Sequence, residues 1–195
     1  KAEKDGKIVA LSDGQRVMLR AGLTKLKILE EGFSSLDTNK HPKMLIVCED
    51  TTVVPLVNQF LRQEGLAEDD VIEIHSNRKG EIGDEEWEKL KQKLFDIDHQ
   101  QKPRVIISVL MLREGFDVNS ICVIVPLRSS TSYILLEQTI GRGLRLMWRE
   151  PQYQDSKRET REKLLIKKEE PDNYMDILSI IEHPAFIEFY EKELM

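Results

Sequence analysis

Four short runs of the chain are almost wholly apolar: KMLIVCE (43–49), VIEIHS (71–76), RVIISVLM (104–111) and ICVIVPL (121–127). Each is continuous rather than alternating and rich in Val and Ile, the pattern of strands covered on both faces of a parallel sheet. Helical periodicity separates most of them. One helix is predicted from an N-cap at Thr51 or Thr52 to a stop at Gly65, with Leu56, Phe60 and Leu61 apolar. Pro55 falls in its first turn, where a missing N–H costs little. A second helix starts at Asp84 and runs through EEWEKLKQKLFDI, with Trp87, Leu90 and Leu94 at helical spacing and GDEEW (83–87) as its cap. An amphipathic helix at about 15–33 precedes the first strand, with Leu19, Leu23, Leu26 and Phe33 as its inner stripe. Strand–helix alternation of this kind predicts an α/β domain with a mostly parallel sheet.

The character changes after Met147. WREPQYQDSKRETREK is charged and irregular, LLIKK reads as a further strand, and the segment from Pro171 reads as two short helices broken at His183-Pro184. The expected organisation is an N-terminal segment and leading helix (1–35), an α/β domain (36–150) and a mostly helical C-terminal extension (151–195), with a soft boundary near 150–163.

Composition adds little beyond exclusions. The net charge of −6 argues against a free-standing binder of nucleic acid with a broad basic face. The charge is uneven, however: residues 51–100 carry six basic and twelve acidic side chains, and residues 101–150 carry seven and four. The longest apolar run, VIISVLML (105–112), is far too short to span a membrane. Cys48 and Cys122 sit inside strand-like runs and read as buried inert thiols, which fits a reducing cytoplasm. His41, His75, His99 and His183 show no metal-ligand spacing, so no metal site is expected from them.

The chemistry concentrates in SYILLEQTIGRGLRLM (132–147). Wound as a helix, it places Gln138, Arg142 and Arg145 within roughly 60° of one another, with Leu136, Ile140, Leu144 and Met147 opposite. Gly141 and Gly143 each cost about 1 kcal/mol against Ala in a helix interior, which suggests that something approaches the backbone closely. In open α/β sheets ligands bind at the carboxyl ends of strands. That rule points to REGFDV (113–118) and RSSTS (128–132), which adjacent strands would bring to one rim. Gly115 permits a tight turn and Asp117 can accept hydrogen bonds there. Alone, the first loop is ordinary turn chemistry and the arginine face an ordinary solvated one. Together they suit a nucleotide, with the carboxylate taking ribose hydroxyls and the guanidinium groups taking phosphate oxygens.

SVLMLREGFDV, a strand, and then LLEQTIGRGLRL resemble motifs V and VI of superfamily-2 helicases and translocases, and KMLIVCEDT (43–51) resembles the strand and turn of motif IV. The resemblance is closest to the restriction (Res) subunit of type III restriction enzymes. It implies a three-layer RecA-like α/β fold acting as a second motor domain. It also implies Arg145 as the arginine finger, Arg142 as its helper and Gln138 as organiser of the nucleotide side. Gly115, Asp117 and Gly141 would lie by the nucleotide, and Thr51, Thr52 and Ser108 would touch a nucleic-acid backbone. ATP and Mg2+ would be the cofactors. The partners would be DNA, a first RecA-like domain and a methyltransferase (modification) subunit, with no membrane involved and a cytoplasmic location. The nuclease of such enzymes is expected beyond this segment.

Phe116 stands where Trp is common in the type III group, and Glu114, Val109, Gln138-Thr139 and Leu144 depart from the RNA helicase pattern, favouring duplex DNA. The phosphate-cradling pattern G-x-x-x-x-G-K-[ST] is absent from the sequence. The expectation is therefore a fragment that is inactive alone and becomes part of an ATPase with its missing half. Another superfamily-2 helicase, or a RecA-like interaction module without catalysis, are the alternatives.

Overall fold

The computed structural model describes residues 2–4, 7–74, 92, 94, 96–109, 118–127 and 147–181. A short antiparallel pair, β1 (Ala2–Lys4) and β2 (Lys7–Ala10), opens the chain. Helix α1 comes next (Asp13–Leu36). Then come β3 (Lys43–Cys48), α2 (Val54–Gln63), β4 (Val71–Ile74), β5 (Val105–Val109), β6 (Ile121–Pro126), α3 (Gln154–Arg161) and β7 (Ser179–Ile180). Strands β3 to β7 form one sheet in the order β4-β5-β3-β6-β7, and every pairing in it is parallel. The α/β class expected from the apolar runs is the class observed.

Helix α1 forms because its ends and its face agree. Ser12 caps it in a reciprocal box with Gln15: the Gln15 N–H donates to the Ser12 hydroxyl, and the Ser12 N–H to the Gln15 side chain. Gln15, Met18, Leu19, Gly22, Leu26, Leu29 and Phe33 recur every three or four residues and are all buried. The helix is longer than the periodicity of 15–33 suggests, because polar turns at both ends still close helical hydrogen bonds. It lies on the face of the sheet formed by Met44, Ile46, Val123 and Val125, together with Val57, Phe60 and Leu61 of α2. Leu45, Ile74, Ile106 and Ile124 point to the other face, where Leu94, Ile97 and Val118 cover them.

Two local expectations are corrected. Helix α2 begins one or two residues later than its sequence suggests: Val53 is the N-cap and makes no side-chain cap. The Asp50 carboxylate takes the Thr52 N–H and hydroxyl instead, closing a turn before the helix. Its stop is where expected, with Gly65 in the left-handed region at φ 94°. LLIKK is not a strand. Residues Glu162–Lys167 continue α3 as a π-helical turn, with Leu165 and Ile166 exposed. The apolar trio suggests a strand, but continuing the helix satisfies its backbone locally.

The segment expected as an extension packs on the sheet. β7 adds the fifth strand beside β6, and Met175 joins Trp148 of the preceding domain in the core beneath α1. Trp148 meets the rings of Phe33 and Tyr153 edge-on at 5.0 and 4.8 Å between centroids. Most of the helix expected from Asp84 lies outside the described residues; Leu94 is helical and buried. Among the described residues no helix is long and apolar enough to cross a membrane.

Candidate functional site: the two ends of the motif-bearing stretches

The strand order decides which loops meet. β5, which leads into REGFDV, and β6, which leads into RSSTS, are not neighbours as expected; β3 lies between them. Two strand spacings separate them by roughly 10 Å. Because all three run parallel, their carboxyl ends share one rim, with the Glu49-Asp50-Thr51 turn at its centre.

The residues of this rim are partly described. Thr51 is half-buried and Thr52 exposed. The Thr52 N–H donates to Asp50 Oδ1 at 2.7 Å. A phosphate reaching Thr52 would therefore compete with a carboxylate already bound there. Ser108 lies on β5 between Val47 of β3 and Ile74 of β4 and is only 2% exposed, so its hydroxyl is not presented to solvent. The first turn of α1 also reaches this rim, where Gln15 Nε2 donates to the Leu127 carbonyl at 3.4 Å. Gln138, Arg142, Arg145, Gly141, Gly115 and Asp117 lie outside the described residues.

The chain is firmly fastened where it leaves each motif-bearing stretch. After REGFDV, the Asp98 carboxylate accepts from the Asn119 N–H and side-chain amide and from the Ser120 N–H and hydroxyl, at 2.5–3.0 Å. After the arginine-bearing stretch, Asp176 Oδ1 accepts the N–H groups of Met147 and Trp148 at 2.9 and 3.1 Å. Lys157 Nζ donates to the Trp148 carbonyl at 2.7 Å and pairs with Asp176 Oδ2 at 2.6 Å. The side chains of Lys157 and Asp176 are 7% and 2% exposed. Asp176 holds a left-handed backbone, φ 52°, which Asp tolerates better than most residues. Arg149 donates to Asn119 Oδ1 at 2.6 Å, joining the two exits.

The second stretch, from RSSTS through the arginine-bearing run, has both of its flanks among the described residues. Its start, after Leu127, is at the carboxyl-terminal rim. Its end is not: the Met147 carbonyl accepts from Lys40 Nζ at 3.0 Å, just before the amino-terminal end of β3. Leu127 and Met147 bracket the arginines from opposite ends of the strands.

Sequence reasoning missed Asp98, Lys157 and Asp176. Asp98 and Lys157 sit in charged stretches that look solvated, and only the fold brings these three side chains to the backbone groups they hold. The signal available was slight: an Asp just before the apolar ILSII run.

Burial also shifts titratable groups among the described residues. Burial pushes the Cys48 and Cys122 thiols up to about 12, so neither is a nucleophile near neutral pH. Burial, then the Lys43 charge, lowers the His41 pKa and favours its neutral form. Among the described residues no group of three His, Cys, Asp or Glu could hold a metal ion.

The chain has relatives among known proteins. Over 117 residues, 57% of this chain, the sequence is 30% identical to the type I restriction enzyme EcoKI endonuclease subunit of Escherichia coli (strain K12). The chain spans about a tenth of that relative's length. The S. cerevisiae Dbp5 C-terminal domain, solved bound to Gle1 and IP6, aligns with 88% of this chain and 90% of its own at 14% identity and a TM-score of 0.41. Residues 24–147, more than half of the chain and including the whole arginine-bearing stretch, match the helicase conserved C-terminal domain, and the chain belongs to that family.

Proposed function

We propose that this chain is the second motor domain of an ATP-dependent DNA translocase of the restriction type. The observation that carries the reading is that the family match runs through Gln138, Arg142 and Arg145 to residue 147, while the sequence holds no phosphate-cradling loop. A domain with the arginines and without the cradle completes a site whose other half belongs to another domain.

In that reading ATP and Mg2+ are held mainly by a first RecA-like domain. Arg145 stabilises the charge that develops on the transferred phosphoryl group, Arg142 assists it, and Gln138 organises the nucleotide side. Gly115, Asp117 and Gly141 line the nucleotide. Thr51 and Thr52 are the described candidates for a DNA backbone contact, and the burial of Ser108 makes it the weaker one. The similarity to a type I endonuclease subunit supports restriction-type translocation. The motif V and VI pattern favours the type III subclass, with a methyltransferase subunit as partner in the cytoplasm.

Replacing Arg145 by Ala in the intact protein tests this. DNA-stimulated ATP hydrolysis should fall by about 10³-fold or more, with folding unchanged by circular dichroism. Retention of the rate would overturn the reading, as would steady-state ATP turnover by the 195-residue chain alone.

A further inference from the structure

We infer that Asp176, with Lys157, is a positioning residue for the arginine-bearing stretch, fixing its far end so that Arg145 meets the phosphate in one geometry. The inference rests on the motor reading. The fastening is unusually complete. Asp176 takes two consecutive N–H groups, Met147 and Trp148, and Lys157 takes the Trp148 carbonyl. Both backbone groups of Trp148 are thereby bound to a buried ion pair, while its ring is locked between Phe33 and Tyr153. Lys40 adds a bond to the Met147 carbonyl, and Arg149 ties the next residue to Asn119, which Asp98 holds.

A buried ion pair is a costly way to gain stability, since desolvation offsets most of its attraction. It is an effective way to fix a backbone, because charged acceptors and donors bond more strongly and tolerate less variation in geometry. Arg145 precedes the anchored Met147 by only two residues in the sequence. An error at the anchor therefore reaches the guanidinium with little chain to absorb it. The anchoring side chains lie at 157 and 176, beyond the family match that ends at 147, so the segment after the shared domain supplies them.

The experiment compares Asp176→Ala, Asp176→Asn and Arg145→Ala in the intact protein by steady-state ATPase kinetics, with folding followed by circular dichroism. Asp176→Ala should lower kcat by about 10²-fold, the usual consequence of misplacing a catalytic group by about 1 Å. KM for ATP should stay within about threefold. Asp176→Asn keeps an oxygen for the two N–H groups and should lose about tenfold in kcat, again at constant KM. A folded Asp176→Ala protein with unchanged kcat, or with an effect confined to KM, overturns the inference. If Asp176→Ala does not fold, Asp176→Asn decides in the same way. Should Arg145→Ala leave turnover intact, the motor reading has failed rather than the anchor alone.

Discussion

Replacing Lys43 by Met should remove a rise in stability between pH 7 and pH 10. Lys43 opens β3 and is fully buried. Its ammonium donates to the carbonyl oxygens of Gln100 and Gln101. Burial is the main cause that lowers its pKa from 10.5 to about 8; the carboxylates of Asp98 and Glu30 pull the other way without cancelling it. Between those two values the unfolded chain binds more protons than the folded one. Stability therefore increases with pH across the window and is lost as pH falls back through it. At about 1.4 kcal/mol per pKa unit the full gain is about 3 kcal/mol, of which roughly 2–3 kcal/mol accrues by pH 10. The assay is urea unfolding of wild-type and Lys43→Met chains at pH 7, 8.5 and 10. The wild-type minus variant difference isolates Lys43 from the other titrating groups. At pH 7 the variant loses a buried charge but strands two carbonyls, which costs about 1–3 kcal/mol. A difference that is flat across the series, or falls with pH, would refute the argument.

Packing sets two further outcomes. A Cβ at Gly22 would lie 2.5 Å from Val125 Cγ2 and 2.8 Å from Met44 Sδ; Gly22→Val should therefore destabilise the chain by about 1–3 kcal/mol in urea unfolding, and an unchanged midpoint would show that α1 sits off the sheet. Cys48 and Cys122 are buried with thiols raised to about 12; a chromogenic disulfide reagent at pH 8 should label them only as urea unfolds the chain, and rapid labelling of native protein would contradict their placement.

Much of this fold is legible in the pattern of residues. The strands at 43–48, 105–109 and 121–126 announce themselves because burial on both faces demands unbroken apolar runs. Helix α1 is readable from Leu19, Leu26 and Phe33, whereas its start at the Ser12 and Gln15 box shows only in the structure. The position of β3 between β5 and β6 is not, because pairing partners leave no periodic mark. β7 is hidden for a similar reason: two residues carry no alternation, and Ser179 is a weak strand former. The site divides in the same way. Arginines and glycines at fixed spacing are visible as chemistry, whereas Asp98 and Asp176 act only after distant segments meet.

The two-residue strand β7 has a consequence for how the molecule behaves among its neighbours. β6 is six residues long, and five of them are buried. An apolar strand left at the margin of a sheet offers unpaired amides to any passing chain. β7 occupies that margin at Val123 and Ile124, and the Ile181 N–H donates to the Ile124 carbonyl at 2.9 Å. β7 thus covers the middle of that margin, and removing residues 179–181 would leave the Val123 and Ile124 backbone open to pairing with another strand.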